Sequence, residues 1–212
     1  MKTLQKILLV FLLSFISNGV SAQISNEIKE ITRKCEEKMN NPKGMDISME
    51  VKVLMLKTHI RTLYKGEKAF MTSSVKMLGK SVTMEMGFDG TQEWEYDSAT
   101  DSLIITKTTK KSDKENDLDV LDFDLPSEYK TAKMKEKNGV YEITFTNPIN
   151  KDVPSKSVMR INQNNYYLSE MQMGSGIKSI TIKINKIKAG HVDDSVFVLD
   201  TKKYPTAKIR RK

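Results

Sequence analysis

Met45-Asp-Ile-Ser-Met-Glu-Val-Lys-Val-Leu-Met-Leu56 decides the fold. Met45, Ile47, Met49, Val51, Val53 and Met55 fall on one side, and Asp46, Ser48, Glu50 and Lys52 on the other. A period of two is the signature of a strand with one apolar and one wet face. The same reading extends downstream. His59–Tyr64 ends at Lys65-Gly66-Glu67-Lys68, and Ala69–Met77 ends at Gly79-Lys80. Val82, Met84, Met86 and Phe88 mark a fourth strand before Asp89-Gly90, a hairpin dipeptide. Gln92–Asp97 carries Trp94 and Tyr96 on one face, and Ser102–Thr108 follows the turn at 97–101. Strands resume at Val140–Thr146 after Asn138-Gly139, then at Ser157–Ile161, Tyr166–Met173, Lys178–Ile184 and, last, Val196–Leu199. Some ten closely turned strands predict an antiparallel meander, and a sheet that wide must curl or close.

Upstream of this block, Ile24, Ile28, Ile31, Cys35 and Met39 recur at helical spacing opposite a charged face, with Ser25 placed to cap and Asn40-Asn41-Pro42 to stop. The spacing predicts one amphipathic helix over 24–39. Residues 109–117 are polar and read as a loop. The period of Leu118–Leu125 is ambiguous between a short helix and an irregular flap.

The N-terminus has the three parts of a secretory signal peptide. Lys2 and Lys6 open it, Ile7–Ile16 is apolar, and Val20-Ser21-Ala22 exits through small residues. The reading is a leader over 1–22 and one mature domain over 23–212 that works outside the cytoplasm. The apolar run is shorter than the roughly 20 residues a membrane helix needs. No cysteine follows the cleavage site to take a lipid anchor.

Lys and Arg number 35 against 27 Asp and Glu, a net charge of +8, and the leader takes two of these lysines with it. This modest, dispersed excess together with an export signal argues against a nucleic-acid partner. It permits loose attraction to anionic membrane surfaces. Cys35 is the single cysteine, so no internal disulfide forms; within the apolar stripe it reads as buried. Of 13 methionines, twelve lie beyond the leader. Methionine suits surfaces that accept variable apolar shapes and serves equally as core filler.

Catalytic constellations are missing. His59 and His191 have no partners at metal-ligand spacing. No G-x-S-x-G element or Gly-rich phosphate loop occurs. Asp193-Asp194 and the set Asp117, Asp119, Asp122 and Asp124 match no calcium loop. The expectation is a protein that is not an enzyme and holds no cofactor.

Phe88-Asp-Gly-Thr-Gln-Glu-Trp-Glu-Tyr-Asp97 resembles the "DGK-x-x-W-x-Y-[DN]" hairpin of LolA-type periplasmic lipoprotein carriers. An amphipathic helix before a long first strand, as over Ile24–Leu56, is similar to that family. So is Asp194-Ser-Val-Phe-Val-Leu-Asp200 with Tyr204-Pro205, which resembles its closing strand and exit. The resemblance implies a mainly β fold: a curved antiparallel half-barrel with helices on its concave face. It implies a monomeric carrier that takes acylated lipoproteins or other acyl lipids from an inner-membrane lipoprotein-releasing transporter to an outer-membrane acceptor. No gating arginine is carried over; Arg61 corresponds by position only.

With alternation, that reading nominates Met49, Val51, Val53, Met84, Met86, Phe88, Trp94, Tyr96, Ile143, Phe145, Met171, Met173, Ile180 and Ile182 as the acyl-chain wall. Ile28, Ile31, Leu121 and Phe123 are the lid candidates. The alternatives are a lipid- or lipoprotein-sensing regulator of the same fold, a β-domain with a filled core, and, last, an enzyme.

Overall fold

The structure, a computed structural model, describes residues 24–77, 79–107 and 125–212. Helix α1 (Asn26–Met39) starts where Ser25 accepts a hydrogen bond from the Ile28 N–H at 3.3 Å, and it stops at Asn40. Its exposed face is tied by Arg33, which bridges Glu30 and Glu37. Its apolar stripe, Ile28, Ile31, Cys35 and Met39, is buried.

Twelve strands form one sheet. They are β1 (Met45–Val53), β2 (Leu56–Lys65), β3 (Lys68–Met77), β4 (Lys80–Phe88), β5 (Gln92–Asp97), β6 (Ser102–Lys107), β7 (Tyr129–Lys137), β8 (Val140–Pro148), β9 (Lys156–Asn162), β10 (Leu168–Met173), β11 (Ile180–Ala189) and β12 (Lys208–Arg211). A short helix, α2 (Leu125–Glu128), precedes β7. The spatial order is β12-β6-β5-β4-β3-β2-β1-β11-β10-β9-β8-β7, so the sheet stays open, an incomplete barrel with edges at β12 and β7. Register shifts at Ser48/Met49 against β11 and at Leu168/Glu170 against β9 are bulges that bend it.

Several boundaries differ from the sequence reading. The first strand does not continue to Leu56: Leu54 and Met55 form a two-residue turn, with Val53 paired to Leu56. Neither is a turn residue by type, and alternation masks the break. Leu54 sits at φ +57°, a left-handed conformation that costs an L-residue about 1–2 kcal/mol. Strand β7 escapes the reading because its exposed positions are all charged: Lys130, Lys133, Lys135, Glu136 and Lys137. The stretch 196–199 is not a strand. Asp194–Phe197 is a 3-10 turn, and the last strand is β12, within the basic tail, parallel to β6.

Residues paired across antiparallel strands share a face. The register therefore assigns every side chain to the helix-bearing face or the outer face. Helix α1 packs over one half of the sheet, where Met45, Ile47, Met49, Ile143, Phe145, Met159, Ile161, Leu168, Met171 and Ile182 are buried beneath it in one cluster. The other half, β2 to β6, is covered on its outer face instead. There the segment 192–207 lies against Leu63, Phe70, Trp94, Leu103 and Ile105 through Val192, Phe197 and Tyr204. Asp194 accepts from Lys65 at 2.8 Å and Lys68 at 3.0 Å, pinning this segment to the β2–β3 turn. The Tyr204 hydroxyl donates to Glu85, and its ring lies 4.5 Å from that of Tyr96.

Candidate functional site

On the helix-bearing face, the register runs Ile47, Thr62, Met71, Met86 across β1 to β4, with Met49, Ile60, Ser73 and Met84 in the next row. Val75 and Val82 continue the pattern outward, and Ala69 and Phe88 continue it toward the opposite pole. On β1 the row is roofed by α1. On β3 and β4 no buried cluster of the described residues covers it. Met71, Met86 and Phe88 are half-buried, Met84 is 37% exposed, and none of them belongs to the three buried clusters. The result is an apolar strip continuous with the core under α1 and left outside it. Cross-strand register adds Met71 and Val75 to this strip, with Ile60 where it meets the α1 cluster; alternation within single strands does not single these three out.

The nominated residues therefore divide. Met49, Ile143, Phe145, Met171 and Ile182 are buried beneath α1, with Val51, Met173 and Ile180 partly buried against the same cluster. Ile28 and Ile31 of α1 lie in that cluster too, so the helix seats on this wall. Val53 sits at the β1 end, 39% exposed. Met84, Met86 and Phe88 form the open strip. Leu121 and Phe123 lie outside the described residues. Trp94 and Tyr96 are a correction to the sequence reading: they face the other way. Phe88 pairs with Glu93, so Trp94 pairs with Gly87 and Tyr96 with Glu85, all on the outer face beneath the 192–207 segment. Arg61 is also on the outer face, where its guanidinium donates to both Asp46 carboxylate oxygens at 2.9 and 3.0 Å. That donation holds the Asp46 carboxyl below its usual range.

Among the polar groups on the helix-bearing face are the hydroxyls of Thr62 and Tyr64. The Thr62 hydroxyl is buried and makes no hydrogen bond among the described residues. Such orphans call for a partner. Tyr64, two positions on, has its hydroxyl pushed up to about 12 by burial, which keeps it neutral. Cys35 is fully buried and its thiol is likewise pushed up to about 12. A thiol so placed is a packing group, not a nucleophile. Among the described residues, no cluster of His, Cys, Asp and Glu has the arrangement to hold a metal ion, and no helix is long and apolar enough to cross a membrane.

No protein-family model matches the chain, and no curated protein matches it in sequence. Solved structures do match in fold. An uncharacterized conserved protein from Thermus thermophilus superposes with a TM-score of 0.55 at 10% identity, over 88% of this chain and 100% of that one. LprF from Mycobacterium bovis matches at 0.47 and 10% identity, over 81% and 97%. A LolA superfamily protein from Nitrosomonas europaea matches at 0.35 and 12% identity, over 81% and 97%.

Proposed function

We propose that this chain is a periplasmic carrier that holds the acyl chains of a lipoprotein or another acyl lipid on the β3–β4 strip. The observation that carries the reading is the placement of Met71, Met84, Met86 and Phe88: apolar, continuous with the core, and outside every buried cluster of the described residues. Burial of an acyl chain gains about 0.8 kcal/mol per methylene, so even part of one chain on this strip offsets a substantial cost of association. Flexible thioether side chains adapt to tails of differing length. The Thr62 hydroxyl, at the inner end of the strip, is the donor we assign to an ester or amide carbonyl of the bound lipid. The sequence resemblance to LolA-type carriers points the same way, and from it come the transporter that loads the cargo and the outer-membrane acceptor that receives it.

The test is native mass spectrometry of the mature chain from its periplasm, followed by titration with a fluorescent acylated peptide. Near-stoichiometric acyl lipid is expected to co-purify. Met71→Glu and Met86→Glu, which place charges on the strip, are expected to weaken the peptide at least tenfold. A clean mass and no peptide binding would defeat the reading in favour of a β-domain without a ligand. A further outcome follows from the outer-face position of Trp94, the only tryptophan. Its emission is expected to stay constant as the peptide saturates, whereas a ligand-dependent blue shift would place the ligand elsewhere.

A further inference from the structure

The turn at Leu54-Met55 combines two locally unfavourable choices. First, apolar side chains are held out in water at a strained bend. Met55 is 96% exposed, Leu56 51% and Leu54 54%, with Leu54 at positive φ. Asp101, Asn138 and Asn147, also at positive φ, are residue types that tolerate that conformation; Tyr166 shares the strain but is half-buried, whereas Leu54 is exposed. The register of Val53 with Ile180 brings the β10–β11 loop to the same pole, and there Ile177 is 84% exposed. Second, lysines stand side by side just behind these tips. Lys52 pairs directly with Lys57, and the β2–β3 register continued by one residue sets Lys57 beside Lys76. Like charges opposite one another in a sheet repel. Glu50, at 3.3 Å from Lys57, is the acidic group that answers this row among the described residues.

An anionic lipid bilayer relieves both at once. We propose that this pole is a membrane-docking tip: Leu54, Met55, Leu56 and Ile177 enter the interface while Lys52, Lys57 and Lys76 meet anionic headgroups. The chemistry is that of interfacial anchors, in which apolar contact and basic residues act together and neither alone suffices. The strained turn is then explained as well, since strain retained at an exposed site points to function there. This inference does not depend on the acyl strip, which lies on the helix-bearing face of β3 and β4, whereas the lysine row lies on the outer face.

The experiment is flotation of the mature chain with phosphatidylcholine vesicles, with and without phosphatidylglycerol. Wild-type chain is expected to float with the anionic vesicles and to be released by salt. Leu54→Asn with Met55→Gly installs a favoured two-residue turn. The double variant is expected to lose binding at least tenfold while melting at the same temperature or higher. Lys52→Gln and Lys76→Gln are each expected to cost about fivefold. Met86→Glu is expected to float as the wild type does. The proposal is overturned if the wild type fails to float, whatever protein it binds instead, or if the Asn-Gly variant floats unchanged. It is overturned equally if Met86→Glu abolishes flotation, since the vesicle would then be engaging the acyl strip.

Discussion

Gly87 shows how much one hydrogen atom decides. Its cross-strand neighbour Trp94 lays the indole over it, and a Cβ built at Gly87 would stand 2.0–2.5 Å from three ring atoms. Neither ring nor backbone yields cheaply inside a buried cluster, so Gly87→Ala is expected to destabilise by about 1–3 kcal/mol in urea unfolding. Cys35, by contrast, is expected to be silent: unreactive to alkylating reagents in the native protein at mild alkaline pH and fully reactive in urea, because burial holds its thiol near 12. At this scale the sequence was half legible. Alternation separated Trp94 from Glu93 and Met86 from Gly87, yet it could not say that the two apolar sets point in opposite directions. That depends on the Asp89–Thr91 bend, which pairs Phe88 with Glu93. A strand reading assumes one buried face for the whole sheet, whereas β4 carries its apolar row on the helix-bearing face and β5 carries its own on the outer face.

The 192–207 segment is the element on which the β2–β6 half leans. Phe197 is fully buried against Leu63 and Val192, so Phe197→Ala is expected to cost about 3–5 kcal/mol by denaturant titration. Asp194 anchors the same segment. The donations from Lys65 and then Lys68 depress its carboxyl from 3.8 to about 2. A depressed carboxylate stabilises the fold fully above its unfolded pKa and loses that contribution as pH falls through the folded one. The melting-temperature advantage of wild type over Asp194→Asn is therefore expected to be constant near neutrality, to shrink below about pH 4 and to vanish near pH 2. An advantage that persists at pH 2 would mean the ion pairs do not hold the segment. The resemblance marks this segment, but its pinning by Lys65 and Lys68 is not legible in the sequence. Asp193-Asp194 matches no calcium loop, and Val196–Leu199 imitates a strand because all four of its residues are apolar.

Taken whole, the molecule covers its sheet diagonally, with α1 on one face of one half and a chain segment on the other face of the other half. The open antiparallel sheet followed from turn spacing and strand count. The division of cover did not, because it arises from tertiary register. Both free edges are guarded by cations: Lys208, Arg210 and Arg211 on β12, and the lysines of β7. Lysine on an edge strand opposes pairing with a second chain. Lys133→Val with Lys135→Val is accordingly expected to raise the sedimentation coefficient above that of the wild type in analytical ultracentrifugation, with little change in melting temperature.

The parallel pairing of β12 with β6 joins Lys208 to Ser102, and β11 joins Ala189 to Met45. Contacts so distant along the chain make for slow folding, because long loops must close before they gain anything. Until residues 192–211 arrive, Trp94, Leu103 and Ile105 have no cover. A polypeptide with this wiring stays unfinished while it is being made, a delay that suits the export expected from its leader-like N-terminus.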